Sequence, residues 1–361
     1  FRARERMALV AVSLVARTLV YALAVAVCVV SPSGLTVVPI CLVAGEACGI
    51  ALVWTYYVRA YGWPRPRLRR RFARVCLTRG RSIYTIQLCQ TVLSSIDLLV
   101  VGVLSQWADV GRYGAPHRIL MALLTFGLIF QQAVFPSLAR SWRDSLETSR
   151  RTLNSLIRVL VLGLLPIAAG TSALAPSLVA LLLPASYAEA GLLLALGIWR
   201  APLLTLAYLL QTTLVALNRE ATGARSLLVA ALASIPLIAS MRLGLGLPGA
   251  ALAALLVAMG LLAAGHARMN AIGRAPSWGA HLRAPVLAIG VMIPVCWWLN
   301  EIHVVLAIAG GAITYAVMLV ALGGVRREDF ELLLGWRTPG ELTSASRLAG
   351  VAAESDAVLF D

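Results

Sequence analysis

An all-α, polytopic membrane fold follows from three observations. The chain holds about ten apolar runs of roughly 17 to 28 residues, against the ~20 that a helix needs to cross a hydrocarbon core. Of its 361 residues 60% are hydrophobic and only 13% charged, too few charged groups to cover a water-soluble globule. The period-two alternation of a membrane β-barrel is absent, and helices are the other way for backbone N–H and C=O groups to satisfy one another in lipid.

The runs fall in order along the chain. The first, 8–30, follows the basic opening FRARER, and the second is 37–58. Runs 83–104 and 112–138 make a hairpin around SQWADVG. Runs 154–176 and 188–216 flank LLLPASYAEA, and runs 224–241 and 248–267 flank LGLGLPG. The last two, 284–300 and 303–323, are separated by two residues. FRARER is no signal peptide, because no small-residue cleavage site follows a short apolar core. An opening Phe1 in place of methionine suggests a fragment or a missing start.

Charge is distributed unevenly between these runs. All 31 basic residues are arginine, the net charge is +15, and the segment from Arg59 to Arg81 holds nine arginines and no acid. In a soluble protein such a balance suggests nucleic acid; here the positive-inside rule reads it as orientation and places 59–81 in the cytoplasm. The alternate gaps then also fall inside, with Arg140, Arg143, Arg150 and Arg151, Arg219 and Arg225, Arg268, Arg274 and Arg283, and Arg326, Arg327 and Arg337. The gaps SPSGLT, SQWADVG, LLLPASYAEA and LGLGLPG fall outside. Ten crossings with both ends cytoplasmic is the consistent topology, in a plasma membrane. The expected organisation is 1–58, a basic linker 59–81, a six-helix bundle 82–270, two accessory helices 271–325 and a cytoplasmic tail 326–361.

Charges at bilayer depth cost about 2.5–3.5 kcal/mol each on insertion scales, so each needs a partner, a wet cavity or a function. Arg17 lies some ten residues into the first run and Glu46 twelve from the inner end of the second, at similar depth, where they could pair. Asp97, about seven residues from the outer end of the third run, matches Arg118, six residues into the fourth. Arg200 has no acidic partner at its depth, which makes it the strongest candidate contact for an anionic ligand. His117 reads as a satisfied histidine facing a polar interior. Gln87, Gln90, Gln131, Gln132 and Gln211 either bond helices together or line a wet cavity, and Gly45 with Gly49 offers a small-residue face for close packing.

Six scattered cysteines lack metal or disulfide spacing, and no P-loop, HExxH, GxSxG or paired aspartates occur. No cofactor, metal or catalytic residue is expected. A transporter is the default reading.

From Ser82 to Arg219 the segments SSIDLLVVGVLSQWADVGRYGAPHRI, FQQAVFPSLAR and LLLPASYAEAGLLLALGIWRAPLLTLAYLLQTTLVALNR resemble the polysaccharide (O-antigen, capsule, exopolysaccharide) flippase family. That family sits within the multidrug/oligosaccharidyl-lipid/polysaccharide exporter superfamily. The matching positions are Asp97, Gly111 with Tyr113, Arg118, and Phe135-Pro136 with Leu138, and RREDFELL resembles the family's tail. The resemblance implies two helix bundles joined by a basic loop, 1–58 being the remainder of the N-terminal bundle with its first four helices missing.

It further implies a non-enzymatic flippase moving an undecaprenyl-pyrophosphate-linked oligosaccharide to the outer leaflet by rocking of the bundles. Arg17, Arg118, Arg200, Gln90 and Gln131 would contact the substrate, and Asp97 and Glu46 would be counter-charges or coupling sites. Partners would be the lipid-linked oligosaccharide, membrane lipids, and a polysaccharide polymerase with other assembly proteins. A lipid II flippase or drug/cation antiporter of the same superfamily, and a membrane glycosyltransferase or polymerase, are the rival readings.

Overall fold

Residues 7–28, 37–63, 70–144 and 146–324 are described by the computed structural model, and among them every regular element is helical. The opening FRARER, the SPSGLT gap and the expected tail 326–361 lie outside the described residues. The helices are α1 (Met7–Cys28), α2 (Val38–Tyr61), α3 (Arg70–Leu104), α4 (Trp107–Asp144), α5 (Leu146–Ala173), α6 (Ala175–Leu182), α7 (Ala190–Gly197), α8 (Arg200–Ala216), α9 (Glu220–Ala271), α10 (Trp278–Asn300) and α11 (Val304–Ala321).

Among the described residues eight helical stretches are long and apolar enough to cross a membrane, and α1 supplies a shorter one at Val12–Cys28. One of the eight, Glu220–Ala271, is 52 residues long, about twice a single crossing. It holds the seventh and eighth expected spans, separated at Gly246, whose φ of 72° and ψ of −155° interrupt the helix. That region is essentially reserved for glycine. Gly223 near the start of α9 packs against Gln211 and Gly265 near its end against Leu210, so the two ends of α9 lie together beside the second half of α8 and the chain reverses at Gly246. The polytopic helical architecture read from the sequence is the one observed.

Two compact units divide the chain, Phe1–Cys76 and Leu77–Asp361, with the division inside the arginine-rich segment. In the first unit α1 packs on α2. Lipid tails are as apolar as leucine, so close backbone approach rather than water exclusion holds such helices together. The glycine face supplies it: a Cβ on Gly45 would stand 2.8 Å from the Arg17 carbonyl oxygen, and one on Gly49 3.3 Å from Arg17 Cβ.

The second unit follows the same rule on a larger scale. The stripe Leu153, Leu156, Ile157, Leu160, Val161 and Leu164 buries one face of α5 against α4 and α8. Small residues draw the other helices in: Gly127 of α4 has no room for a Cβ beside Thr205 of α8, and Gly265 of α9 sits on Leu210. The α10–α11 hairpin closes similarly through Gly310 against Leu299 and Gly311 against Cys296. It is pinned to α5 and α6 by Tyr315 Oη donating to the Leu162 carbonyl at 2.9 Å and Asn300 Nδ2 donating to Ser177 Oγ at 2.9 Å. Leucines, valines and isoleucines crowd the exposed surface, as expected of lipid-facing helices, and Trp297 and Trp298 stand exposed near the end of α10, where an interfacial aromatic belt is expected.

Candidate functional site

Polar chemistry in the second unit converges on Asp97, which is 2% exposed. Leu93 and Asp97 stand one turn apart on α3, so the Leu93 carbonyl and the Asp97 side chain share a face. Into that face comes Arg200, itself 3% exposed, with Nη1 2.5 Å from Asp97 Oδ2 and Nη2 donating to the Leu93 carbonyl. Tyr113 and His117, again one turn apart on α4, complete the centre. Tyr113 Oη donates to Asp97 Oδ2 at 2.8 Å and His117 Nδ1 lies 3.4 Å from the same oxygen. Tyr208 of α8 donates to the Gln90 carbonyl at 3.1 Å, a second tie between α8 and α3.

Local sequence explains how Arg200 is delivered. Pro202 has no N–H to bond the Ile198 carbonyl, which accepts instead from Ala201 at 3.1 Å. This tightened turn separates α7 from α8 and starts α8 at Arg200. A cavity of about 20 Å³, room for a single water-sized group, is lined by Asp97, Tyr113, His117 and Arg200.

The pairing expected of Asp97 and Arg118 is thereby corrected, as is the expectation that Arg200 lacks an acidic partner. Arg118 follows His117 by one residue and so points about 100° around α4 from it. It is exposed, about a third of the way along its helix, with no ion pair among the described residues. Gln131 is buried, its Nε2 donating to the Thr205 carbonyl at 2.8 Å, a bond between α4 and α8. Gln90 is half-buried beside the Tyr208 contact, and Gln211 is fully buried. In the first unit Arg17 Nη1 meets Glu46 Oε1 at 2.8 Å, the pairing that matched depths suggested. The side chains of Gln132, Phe135, Pro136 and Leu138 lie outside the described residues.

Sequence reading missed a second charged cluster. Arg242, near the reversal of α9, bonds Asp109 Oδ2 and Ser105 Oγ, each at 3.0 Å, while Arg112 meets Glu189 at 3.1 Å. These bonds tie the α3–α4 turn to α9 and to the segment before α7. The acids in SQWADVG and LLLPASYAEA were the available signal, masked by the near-neutrality of both gaps.

Residues 1–142 match the family described as polysaccharide biosynthesis protein. No curated protein matches the chain. Among solved structures the fold is similar to "Lipid II flippase MurJ, inward closed conformation", with a TM-score of 0.68 at 12% identity, over 86% of this chain and 65% of that one. The chain thus spans about two thirds of the length of the solved protein it matches. The match over residues 1–142 supports the resemblance to polysaccharide-biosynthesis proteins in that part of the chain, and the fold is one shared with MurJ.

Proposed function

We propose that the chain serves as a flippase, not an enzyme, for a lipid-linked oligosaccharide, carrying an undecaprenyl-pyrophosphate-linked repeat unit across the plasma membrane for surface polysaccharide synthesis. One observation carries this reading: Arg118, an exposed arginine within a membrane-spanning stretch, in a chain with a polysaccharide-biosynthesis match. An arginine at such depth is costly to leave in hydrocarbon and marks a polar path. Pyrophosphate and sugar hydroxyls need such a path, since neither crosses hydrocarbon without replacements for its water.

In this reading Arg118 contacts the pyrophosphate, with Gln90 as a further polar contact. Arg200 and Asp97 hold α8 against α3 behind it, and Glu46 is the counter-charge of Arg17. Both ends of the chain face the cytoplasm, and a polymerase receives the product. The likeness to MurJ supports a second substrate of the same chemistry, lipid II, which also joins a polyprenyl pyrophosphate to sugars.

The test is leaflet exchange of a fluorescent undecaprenyl-pyrophosphate oligosaccharide in proteoliposomes, read by quenching of the outer leaflet. The chain should accelerate exchange and Arg118→Ala should remove most of that acceleration. Equal rates for parent and variant would overturn the assignment of Arg118, and no acceleration by the parent would overturn the flippase reading.

A further inference from the structure

The second unit also carries a basic cleft that shares no lining residue with the Asp97 centre. Its volume is about 720 Å³. Arg151, Asn154 and Arg158 line it from the first turns of α5, and Ser277, His281 and Arg283 from the start of α10. The backbone leaving α11 at Leu322 to Gly324 closes the third side.

Among the described residues the lining holds three guanidinium groups and no carboxylate. The nearby acid Glu147 pairs with Arg151 at 3.0 Å in a largely exposed contact. The frame of the cleft is hydrogen-bonded across helices. Asn154 Oδ1 accepts from the Ser277 N–H at 3.1 Å and lies 3.3 Å from His281 Nε2, joining α5 to α10. Arg158 Nη2 donates to the Gly324 carbonyl at 2.6 Å, joining α5 to the end of α11 and fixing this guanidinium in the wall. Arg283 is exposed at the mouth.

Position identifies what such a cleft meets. The membrane-spanning stretches Ser149–Ala173, His281–Asn300 and Val304–Ala321 all begin or end here, so the cleft lies at the boundary of the hydrocarbon, at the level of phospholipid phosphates. Basic pockets between helices at this level suit anionic headgroups. Leu162, Ala284 and Pro285 continue the lining toward the spans, an apolar exit suited to acyl chains and of no use to a free ion.

We propose that this cleft is a binding site for the phosphate of an anionic phospholipid headgroup, held by Arg151, Arg158 and Arg283. The site is independent of the transported substrate and is tested without transport.

The full chain in detergent, equilibrated with phosphatidylglycerol or with phosphatidylcholine, is analysed by native mass spectrometry for bound lipid. Phosphatidylglycerol should bind at lower concentration than phosphatidylcholine. Arg158→Gln and Arg283→Gln should each weaken that binding about fivefold, and Arg158→Lys less. Excess inorganic phosphate should leave the lipid bound. Equal binding of the two lipids overturns the proposal, as does undiminished phosphatidylglycerol binding by Arg283→Gln, whose exposed position spares the fold. Complete displacement by inorganic phosphate overturns the lipid assignment in favour of a free-phosphate site.

Discussion

Arg200 reaches Asp97 across 103 positions of sequence and closes on it at 2.5 Å, with both side chains withdrawn from the surface. A buried pair of this kind contributes little compared with an apolar pair of similar shape, yet removing one member leaves the other charged and unpartnered. Arg200→Ala and Asp97→Ala should each destabilise the protein by about 3–5 kcal/mol. Asp97→Leu combined with Arg200→Met should recover much of that loss. Unfolding of the purified variants in mixed detergent, arranged as a double-mutant cycle, measures the coupling; additive losses would show that the pair does not act as a unit.

Tyr113→Phe removes only the hydroxyl that donates to Asp97 at 2.8 Å. Hydrogen bonds to charged groups are worth about 1.5–3 kcal/mol, so a loss in that range is expected in the same unfolding assay. The effect should vanish when Asp97 is already leucine.

Arg118 should behave in the opposite way. Exposed and without an ion pair among the described residues, it should tolerate alanine within about 0.5 kcal/mol of parent stability. Flipping by that variant should fall at least about tenfold, the cost of one lost charge-assisted contact of ~1.4 kcal/mol. Arg118→Lys, which keeps the charge and loses the planar fork, should lie between.

At Gly246 the backbone occupies a region that a Cβ disfavours. Gly246→Ala should cost about 1–3 kcal/mol. Because the reversal of α9 sets Arg242 beside Asp109, a cysteine pair at Ser105 and Arg242 should cross-link less readily in that variant. Unchanged cross-linking would separate the backbone conformation from the placement of Arg242.

The Arg17–Glu46 pair allows a charge swap. Arg17→Glu or Glu46→Arg alone sets like charges together within the spans and should lower membrane-inserted yield, whereas the two together should restore it. Quantifying inserted protein after carbonate extraction distinguishes these outcomes.

These residues also show which parts of the molecule are legible in sequence. Hydropathy located the long apolar helices among the described residues because span length is a local property, and the two halves of α9 are separated within LGLGLPG. Matching depths found Arg17–Glu46, where the Gly45–Gly49 face also fixes which side of α2 meets α1. The same argument failed for Asp97 and Arg118 because depth fixes height and not direction around the helix. The direction was written in Tyr113 and His117, one turn apart on the side of α4 that faces Asp97. Nothing local announced Asp97 as the partner of Arg200, since that approach depends on how α8 packs against α3. The basic cleft was invisible for the same reason, its arginines coming from two helices more than a hundred residues apart.

The Asp97–Arg200 bond also has an order in time. Ribosomal synthesis delivers Asp97 to the membrane well before Arg200, so the earlier hairpin presents an acceptor before the arginine-bearing segment arrives. A segment that would otherwise carry a naked cation into hydrocarbon, at about 2.5–3.5 kcal/mol, finds its counter-charge waiting. Stable insertion of α8 should therefore depend on the earlier α3–α4 hairpin, and Asp97→Ala should lower it.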